Sequence, residues 1–168
     1  AAELGMVIIC PDTSPRGDQV PDEKDNWQFG SGAGFYLDAT QEPYDKNYNM
    51  YSYLNDELPK LVENNFDFDM SRQSIFGHSM GGHGAIIMAL RNPEEYNSCS
   101  AFAPIVEPST ASWSSKAFKK YIGLDKDDWQ MYDSVALIKN GYRFPEILVD
   151  QGEADSFLEE GLRPWLCY

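Results

Sequence analysis

Long apolar runs, basic residues and cysteines are absent or few in this sequence, and each shortage excludes a class of function. It has no apolar run near the roughly 20 residues that a membrane span requires, and its first residues lack a basic-then-apolar signal pattern, so we expect no membrane association. Its 13 basic residues stand against 27 acidic ones, a net charge of −14 without a visible basic patch, so we expect no nucleic-acid partner. The three cysteines, Cys10, Cys99 and Cys167, are an odd number without metal-ligand spacing, which indicates reduced thiols in a cytoplasmic protein and no bound metal.

The sequence does contain enough apolar material for one core. Its 168 residues, 42% of them hydrophobic and 14% aromatic, fit a single soluble domain over 1–168. Apolar runs alternate with helical spacing, which predicts an α/β fold with a mostly parallel sheet and flanking helices. We predict strands at 6–10, 72–76, 99–103 and 147–150, and helices at 51–63, 80–90, 113–121, 131–139 and from about 157.

Three of these segments carry further expectations. The run at 6–10 is continuously apolar, which predicts a strand buried on both faces. The stretch 13–49, rich in glycine, proline and aromatic residues, is predicted to be a long functional loop. The helices at 113–121 and 131–139 are expected to form a cap-like insertion.

The most informative segment is GHSMGG at 77–82, between a predicted strand and a predicted helix. A G-x-S-x-G pattern in that context is typical of a nucleophile elbow, a turn so sharp that the residues two before and two after the serine must lack side chains. Gly77 and Gly81 meet that condition. Ser79 is therefore the predicted nucleophile, with unfavourable backbone angles. The alternative is a glycine-rich turn whose serine only caps a helix.

A serine nucleophile needs a carboxylate, a base and donors for the developing oxyanion. The backbone N–H of Met80, the residue after the serine, is the predicted oxyanion donor. Asp155, in the loop after the last predicted strand, is the predicted acid, because loops at the carboxyl ends of parallel strands meet at one edge of the sheet. Asp150, at the strand end, is the second candidate, and both carboxylates have ordinary interpretations as turn or helix caps.

The histidine base is missing from its expected place. In this fold the chain order is serine, acid, histidine, yet the two histidines, His78 and His83, both precede Asp155. We interpret both as packing and hydrogen-bonding residues. The gap between Ser79 and Asp155 should then fit one imidazole and contain no histidine of this chain.

Longer stretches of sequence carry a specific resemblance. The chain resembles the S-formylglutathione hydrolases, the esterase D family, over essentially its whole length and in the family's order. The matching motifs are PDTSPRG at 11–17, GAGFY at 32–36, GHSMGGHGA at 77–85, LRNP at 90–93, SAFAPI at 100–105, KAF at 116–118 and DQG at 150–152.

The resemblance implies an α/β-hydrolase fold and a cytoplasmic serine thioesterase without a cofactor. Such an enzyme forms an acyl-enzyme, releases formate and glutathione from S-formylglutathione in formaldehyde detoxification, and also accepts small esters. By the family's motif, Ser79 is the nucleophile and Asp155 the acid. Arg16 is a candidate donor for the anionic substrate and equally a solvated surface arginine, and Trp113 is a candidate pocket wall or a core residue.

The resemblance also implies strands and an oxyanion loop before Ala1, and a histidine-bearing segment after the last helix. We therefore expect a fragment, the central portion of the domain, incomplete at both termini and poorly active by itself. Missing edge strands should expose apolar sheet surface, and a homodimer is left open. The alternatives are a general small-ester carboxylesterase, an acyltransferase of the mycolyltransferase type, and a non-catalytic binding protein.

Overall fold

Three short parallel strands form the sheet around which the chain is organised. The computed structural model describes residues 1–23 and 26–167, so Lys24 and Asp25 of the predicted loop and Tyr168 lie outside the described residues. The strands, β1 (Ile75–His78), β2 (Cys99–Phe102) and β3 (Ile147–Asp150), lie in that order across the sheet. The first residues of the three strands are paired side by side, Ile75 with Cys99 and Cys99 with Ile147, so the carboxyl ends of all three strands lie at the same edge of the sheet. The strand predictions at 99–103 and 147–150 are confirmed, and the one at 72–76 is displaced toward Ser79.

Helices alternate with the strands, as the sequence pattern predicts: α1 (Met50–Ser52) and α2 (Leu58–Asn65) precede β1, and α3 (Met80–Arg91) connects β1 to β2. The connection from β2 to β3 contains α4 (Ser114–Tyr121) and α5 (Ser134–Lys139), and β3 is followed by a π-helical turn at Leu158–Leu162 and a 3₁₀ turn at Pro164–Cys167. Within residues 1–23 and 26–167, none of the helices has the length and apolarity that crossing a membrane would require.

Pro59 lies inside a continuous helical stretch because the turn before it is widened. A π-helical turn at Tyr53–Glu57 joins α1 to α2. This turn contains Asn55, whose carbonyl would collide with the ring of Pro59, four residues later, in a regular α-helix. The prediction of a helix at 51–63 is confirmed, with this turn in place of a simple kink.

Only one face of the sheet is covered by the described residues. Alternate residues of a strand point to opposite faces. Ala101 of β2 packs with Ile87 of α3 and Leu137 of α5 in one buried cluster. Phe76 and Leu148, on the opposite face, are 59% and 55% exposed. The expected exposure of apolar sheet surface is therefore confirmed.

A second core fixes the long loop against α4. Phe35, Leu37 and Tyr48 of the loop are at most 2% exposed and belong to the same buried cluster as Tyr121 of α4. The hydroxyl of Tyr121 donates to the carbonyl of Ala33 at 2.9 Å, deep in this core. The loop is thus an ordered part of the molecule.

Two predictions about these elements are wrong. The run at 6–10 is not a strand, since Val7 and Ile8 are 57% and 53% exposed and the backbone at 7–10 makes no hydrogen bond with the described residues. Apolar composition alone cannot make a strand, because the backbone groups need a neighbouring strand to pair with. The segment at 131–139 is not part of a cap, because α5 packs against α3 and covers the sheet.

Candidate active site

Ser79 occupies the turn between β1 and α3. Its N–H donates to the carbonyl of Phe102 at 2.8 Å, which continues the pairing of β1 with β2 up to the serine. The next residue, Met80, is already helical. To make this change of direction Ser79 adopts φ 55° and ψ −116°, a conformation that costs a residue other than glycine about 1–3 kcal/mol. The predicted strain at a strand-to-helix turn is confirmed.

The two glycines of the motif differ in how much space surrounds them. A Cβ on Gly77 would lie 2.1 Å from the carbonyl oxygen of Gly81, so the backbone itself fills that space. A Cβ on Gly81 would meet only the hydroxyl of Tyr36, at 3.8 Å, which is an ordinary contact. The prediction that both positions must lack side chains is therefore wrong for Gly81. The next residue, Gly82, is more crowded than Gly81, because its Cβ would lie 3.0 Å from that of Pro104.

The backbone N–H of Met80, the predicted oxyanion donor, lies at the start of α3. Met80 is the first residue of α3, so its N–H has no acceptor inside the helix. The start of a helix also carries the positive end of the helix dipole. Both features favour negative charge beside Ser79.

An apolar cavity of about 210 Å³ opens beside Ser79. Four parts of the chain line it: the long loop (Trp27, Gln28, Gly32, Ala33 and Phe35), the elbow (Ser79 and Met80), the segment after β2 (Ile105 and Trp113) and the segment after β3 (Phe157 and Leu162). The rings of Trp27, Trp113 and Phe157 pack together with centroid separations of 6.0–6.4 Å. Of these three rings, sequence reasoning anticipated only Trp113; the aromatic residues of the glycine-rich loop were the signal for Trp27, and Phe157 lies in the segment after β3.

Asp155 lies in the loop after β3, two residues before Phe157 of the cavity wall. Its Oδ1 accepts the N–H of Phe157 at 2.8 Å, and its Oδ2 accepts the amide of Gln151 at 3.4 Å. The ends of β1 and β3, the strands that lead to Ser79 and to the Asp155 loop, are separated by two strand spacings, about 10 Å. That the gap between the two side chains fits one imidazole stays a prediction. Asp150 instead lies on the open face of the sheet with Leu148.

Neither histidine is placed to act as a base for Ser79. His83 is fully buried in α3, and its Nε2–H donates to the carbonyl of Phe35 at 3.1 Å, which fixes the neutral tautomer. Burial lowers the pKa of His83 to about 4. The structural interpretation of His83 is confirmed. The packing role predicted for His78 is wrong, because its side chain is exposed beside Phe76 and makes no hydrogen bond with the described residues.

Arg16 is not a free cation for an anionic substrate. Its Nε and Nη2 donate to the two carboxylate oxygens of Asp12 at 2.9 Å and 2.8 Å. This hydrogen-bonded guanidinium lowers the pKa of Asp12. Because the two charges cancel, the interpretation of Arg16 as a surface arginine is the one that fits.

Comparison with known proteins gives a consistent assignment. The profile of the Esterase family, described as "Putative esterase", matches residues 1–166. The S-formylglutathione hydrolase of Mus musculus is 54% identical over 163 residues, which are 96% of this chain and 57% of the mouse protein. A solved structure of an S-formylglutathione hydrolase from Agrobacterium tumefaciens is 65% identical in sequence with a TM-score of 0.97, and the match covers 98% of this chain and 60% of that one. This chain therefore spans less than two thirds of the length of these relatives.

A more distant structure shares the fold alone. A fluorophosphonate-binding serine hydrolase of Staphylococcus aureus is 20% identical with a TM-score of 0.61, over 78% of this chain and 53% of that one. The parallel sheet, the flanking helices and these matches show the predicted α/β-hydrolase fold.

Proposed function

Because the chain belongs to the esterase family, we propose that it carries the nucleophile elbow and acyl pocket of an S-formylglutathione hydrolase. One observation carries the proposal: a strained Ser79 at the end of β1 opens onto an apolar cavity in a chain 65% identical to the Agrobacterium tumefaciens enzyme. Residues 1–168 would form the central portion of one α/β-hydrolase domain.

In this function the hydroxyl oxygen of Ser79 attacks the formyl carbon of S-formylglutathione. Its proton passes to an imidazole, and the carbonyl oxygen becomes an oxyanion that accepts the N–H of Met80. Collapse of the intermediate breaks the carbon–sulfur bond, the sulfur takes the proton from the imidazolium, and glutathione leaves formyl-Ser79. Water, deprotonated by the same imidazole, then attacks this ester. The carbon–oxygen bond to Ser79 breaks, the serine oxygen takes the proton from the imidazolium, and formate is released.

Asp155 has the role of holding that imidazole in the correct tautomer and stabilising its charged form. The hydrogen bond from the N–H of Phe157, a residue of the cavity wall, orients this carboxylate. Since His83 is buried against Phe35, and His78 lies on the open face of the sheet, we assign the imidazole to a part of the protein beyond residues 1–168. The second oxyanion donor is assigned in the same way.

The proposed setting is formaldehyde detoxification in the cytoplasm. The cysteines among the described residues are all unpaired, which supports a reducing compartment. The expected partner is the small thioester itself, with neither nucleic acid nor a membrane involved, because the chain carries a net charge of −14. The open sheet face around Phe76 and Leu148 is compatible with a homodimer.

A second function, general small-ester hydrolysis, is favoured by the size of the cavity. A volume of about 210 Å³ would hold roughly seven water molecules at about 30 Å³ each, whereas a formyl group has one carbon and one oxygen. The pocket therefore has space for longer acyl groups. Comparing the turnover of S-formylglutathione with that of p-nitrophenyl acetate separates the two functions.

The deciding experiment joins this chain to the segments of the Agrobacterium tumefaciens enzyme that lie outside the matched region, here called the completed protein. We expect the completed protein to hydrolyse S-formylglutathione and to be labelled at Ser79 by a fluorophosphonate. Ser79→Ala should abolish both activities. The 168-residue chain alone should turn over at least about a thousandfold more slowly, because triad residues act as a unit. Comparable turnover by the two proteins would contradict the assignment of the base to another segment.

A further inference from the structure

We propose that Gly161 sets the size of the acyl group accepted beside Ser79, by fixing how far the indole of Trp113 extends into the cavity. This rests on the proposed function and names a size-determining residue for it. A Cβ on Gly161 would lie 2.3 Å from Cζ2 of Trp113 and 2.7 Å from Cε2 and Nε1. Gly161 does not have a positive φ, so the close approach of the indole is the reason for a glycine here.

Packing alone holds the indole of Trp113 in place. Its Nε1 is buried without a hydrogen-bond partner among the described residues. One side of the ring lies against Gly161, and the rings of Trp27 and Phe157 pack around it with centroid separations of 6.0 Å and 6.4 Å. A side chain fixed by close packing must move when one of its contacts moves.

The segment that contains Gly161 is anchored to the segment that leads into Trp113. The carbonyl of Leu162 accepts the N–H of Val106 at 3.2 Å. The hydroxyl of Ser112 donates to the carboxylate of Glu160 at 3.0 Å. Hydrogen bonds on both sides of Gly161 therefore connect its segment to the segment that leads into Trp113.

Arg163 strengthens this anchor. Its Nη2 donates to the carbonyl of Glu107 at 3.0 Å and to the hydroxyl of Thr110 at 2.7 Å. Its Nη1 lies 3.5 Å from a carboxylate oxygen of Glu107, and both side chains are only 19% exposed. The backbone at Gly161 is itself held, since its N–H donates to the carbonyl of Phe157 at 3.0 Å and the carbonyl of Leu162 accepts the N–H of Val106. An added methyl group should therefore displace the indole rather than the backbone.

Displacing the indole toward Ser79 reduces the space for an acyl group. Long acyl chains should be excluded before short ones, because each additional methylene must fit into the same cavity. In a hydrophobic pocket one methylene changes selectivity by about 10-fold or more. The expected result of Gly161→Ala is therefore a change in the ratio of two substrates rather than a uniform loss of activity.

The first arm of the test measures that ratio in the completed protein, with p-nitrophenyl acetate and p-nitrophenyl hexanoate. These esters share a leaving group, so their kcat/KM ratio reports the acyl group alone. Gly161→Ala should lower the hexanoate-to-acetate ratio at least about 10-fold. In a Trp113→Leu background the same substitution should leave the ratio unchanged, since the clashing ring is gone. Glu159→Gln is the matched control, because Glu159 is exposed in the same turn and its side chain makes no hydrogen bond with the described residues.

The second arm measures binding to the 168-residue chain and needs no catalysis. Ethanol and hexanol are titrated while the quenching of tryptophan fluorescence is followed. Gly161→Ala should weaken hexanol binding relative to ethanol binding, whether or not the completed protein hydrolyses S-formylglutathione. Failure of the proposed function alone would therefore appear as no turnover of S-formylglutathione by the completed protein, while Gly161→Ala still weakens hexanol binding to the 168-residue chain.

Two results would overturn the inference. One is that Gly161→Ala changes neither the hexanoate-to-acetate ratio of kcat/KM nor the preference for hexanol over ethanol by more than about twofold. The other is that Gly161→Ala lowers the hexanoate-to-acetate ratio equally with Trp113 present and in the Trp113→Leu background. If Gly161→Ala does not fold, the double variant with Trp113→Leu should recover the melting temperature, and its failure to do so would equally refute the steric contact.

Discussion

Replacing each glycine of the elbow with alanine should have opposite effects on stability. In Gly77→Ala the new Cβ would lie 2.1 Å from the carbonyl oxygen of Gly81. Either the end of β1 or the first turn of α3 must then shift by about 1 Å to reach an ordinary contact distance. Both elements are tightly packed backbone, so we expect a loss of about 3 kcal/mol or more in the free energy of unfolding.

Gly81→Ala is the matched comparison because the chemical change is identical. The added Cβ meets only the hydroxyl of Tyr36, at 3.8 Å, and the position lies within α3. Alanine is favoured over glycine in a helix by up to about 1 kcal/mol. The two variants should therefore differ by about 4 kcal/mol, with Gly81→Ala at least as stable as the original chain.

Urea unfolding, followed by far-ultraviolet circular dichroism, measures this difference directly. With a denaturant slope of about 2 kcal/mol per molar, the two midpoints should lie about 2 M apart. Failure of Gly77→Ala to fold, with Gly81→Ala folded, would agree with the prediction. Midpoints within about 0.3 M of each other, or a less stable Gly81→Ala, would refute the steric argument.

Three further predictions concern the charges and strain of the site. Ser79→Gly should be more stable than Ser79→Ala by at least about 1 kcal/mol in urea unfolding, because glycine adopts φ 55° freely; equal stabilities would refute the strain. The chain should lose about 2 kcal/mol through His83 between pH 7.5 and 5, because the unfolded histidine protonates near pH 6.5 and the buried one only near pH 4. This contribution to the free energy of unfolding is complete above pH 6.5 and falls as the pH drops toward 4. The urea midpoint of His83→Phe should therefore fall less between pH 7.5 and 5 than that of the original chain. Asp155→Asn in the completed protein should keep the hydrogen bond from Phe157 and thus its stability, but lose roughly 10⁴-fold in turnover; unchanged turnover would remove Asp155 from the triad.

The elbow could be predicted from sequence because its geometry is local. Gly77, Ser79 and Met80 lie within four consecutive positions, and the strand, the turn and the helix are encoded next to one another. The positions of β2 and β3 could also be predicted from sequence, because both are short apolar runs, followed closely by Pro104 and Gly152 respectively. The sequence could not show that Gly81 has room for a side chain, because that depends on where Tyr36 of the long loop lies.

The cavity could not be predicted because it is assembled from distant segments. Trp27, Phe35 and Leu162 are brought to Ser79 by packing of the long loop and of the chain after β3. Gly161 has no turn signal and no positive φ, and only the indole of Trp113 explains it. Strand formation at 6–10 failed as a prediction for a related reason, since a strand exists only with its pairing partner.

The geometry of Ser79 is held by backbone contacts rather than by the residues that would activate it. Its N–H is bonded to Phe102 of β2, its carbonyl accepts the N–H of His83 at 3.0 Å, and the closely packed glycines at 77 and 82 fix the turn on either side. None of these contacts involves an imidazole or the carboxylate of Asp155. A strained conformation persists only where its surroundings over-determine it, and here those surroundings lie within β1, β2 and α3. On the proposed function, the slow turnover expected of the 168-residue chain should therefore arise from the missing imidazole and the missing second oxyanion donor rather than from a disordered Ser79.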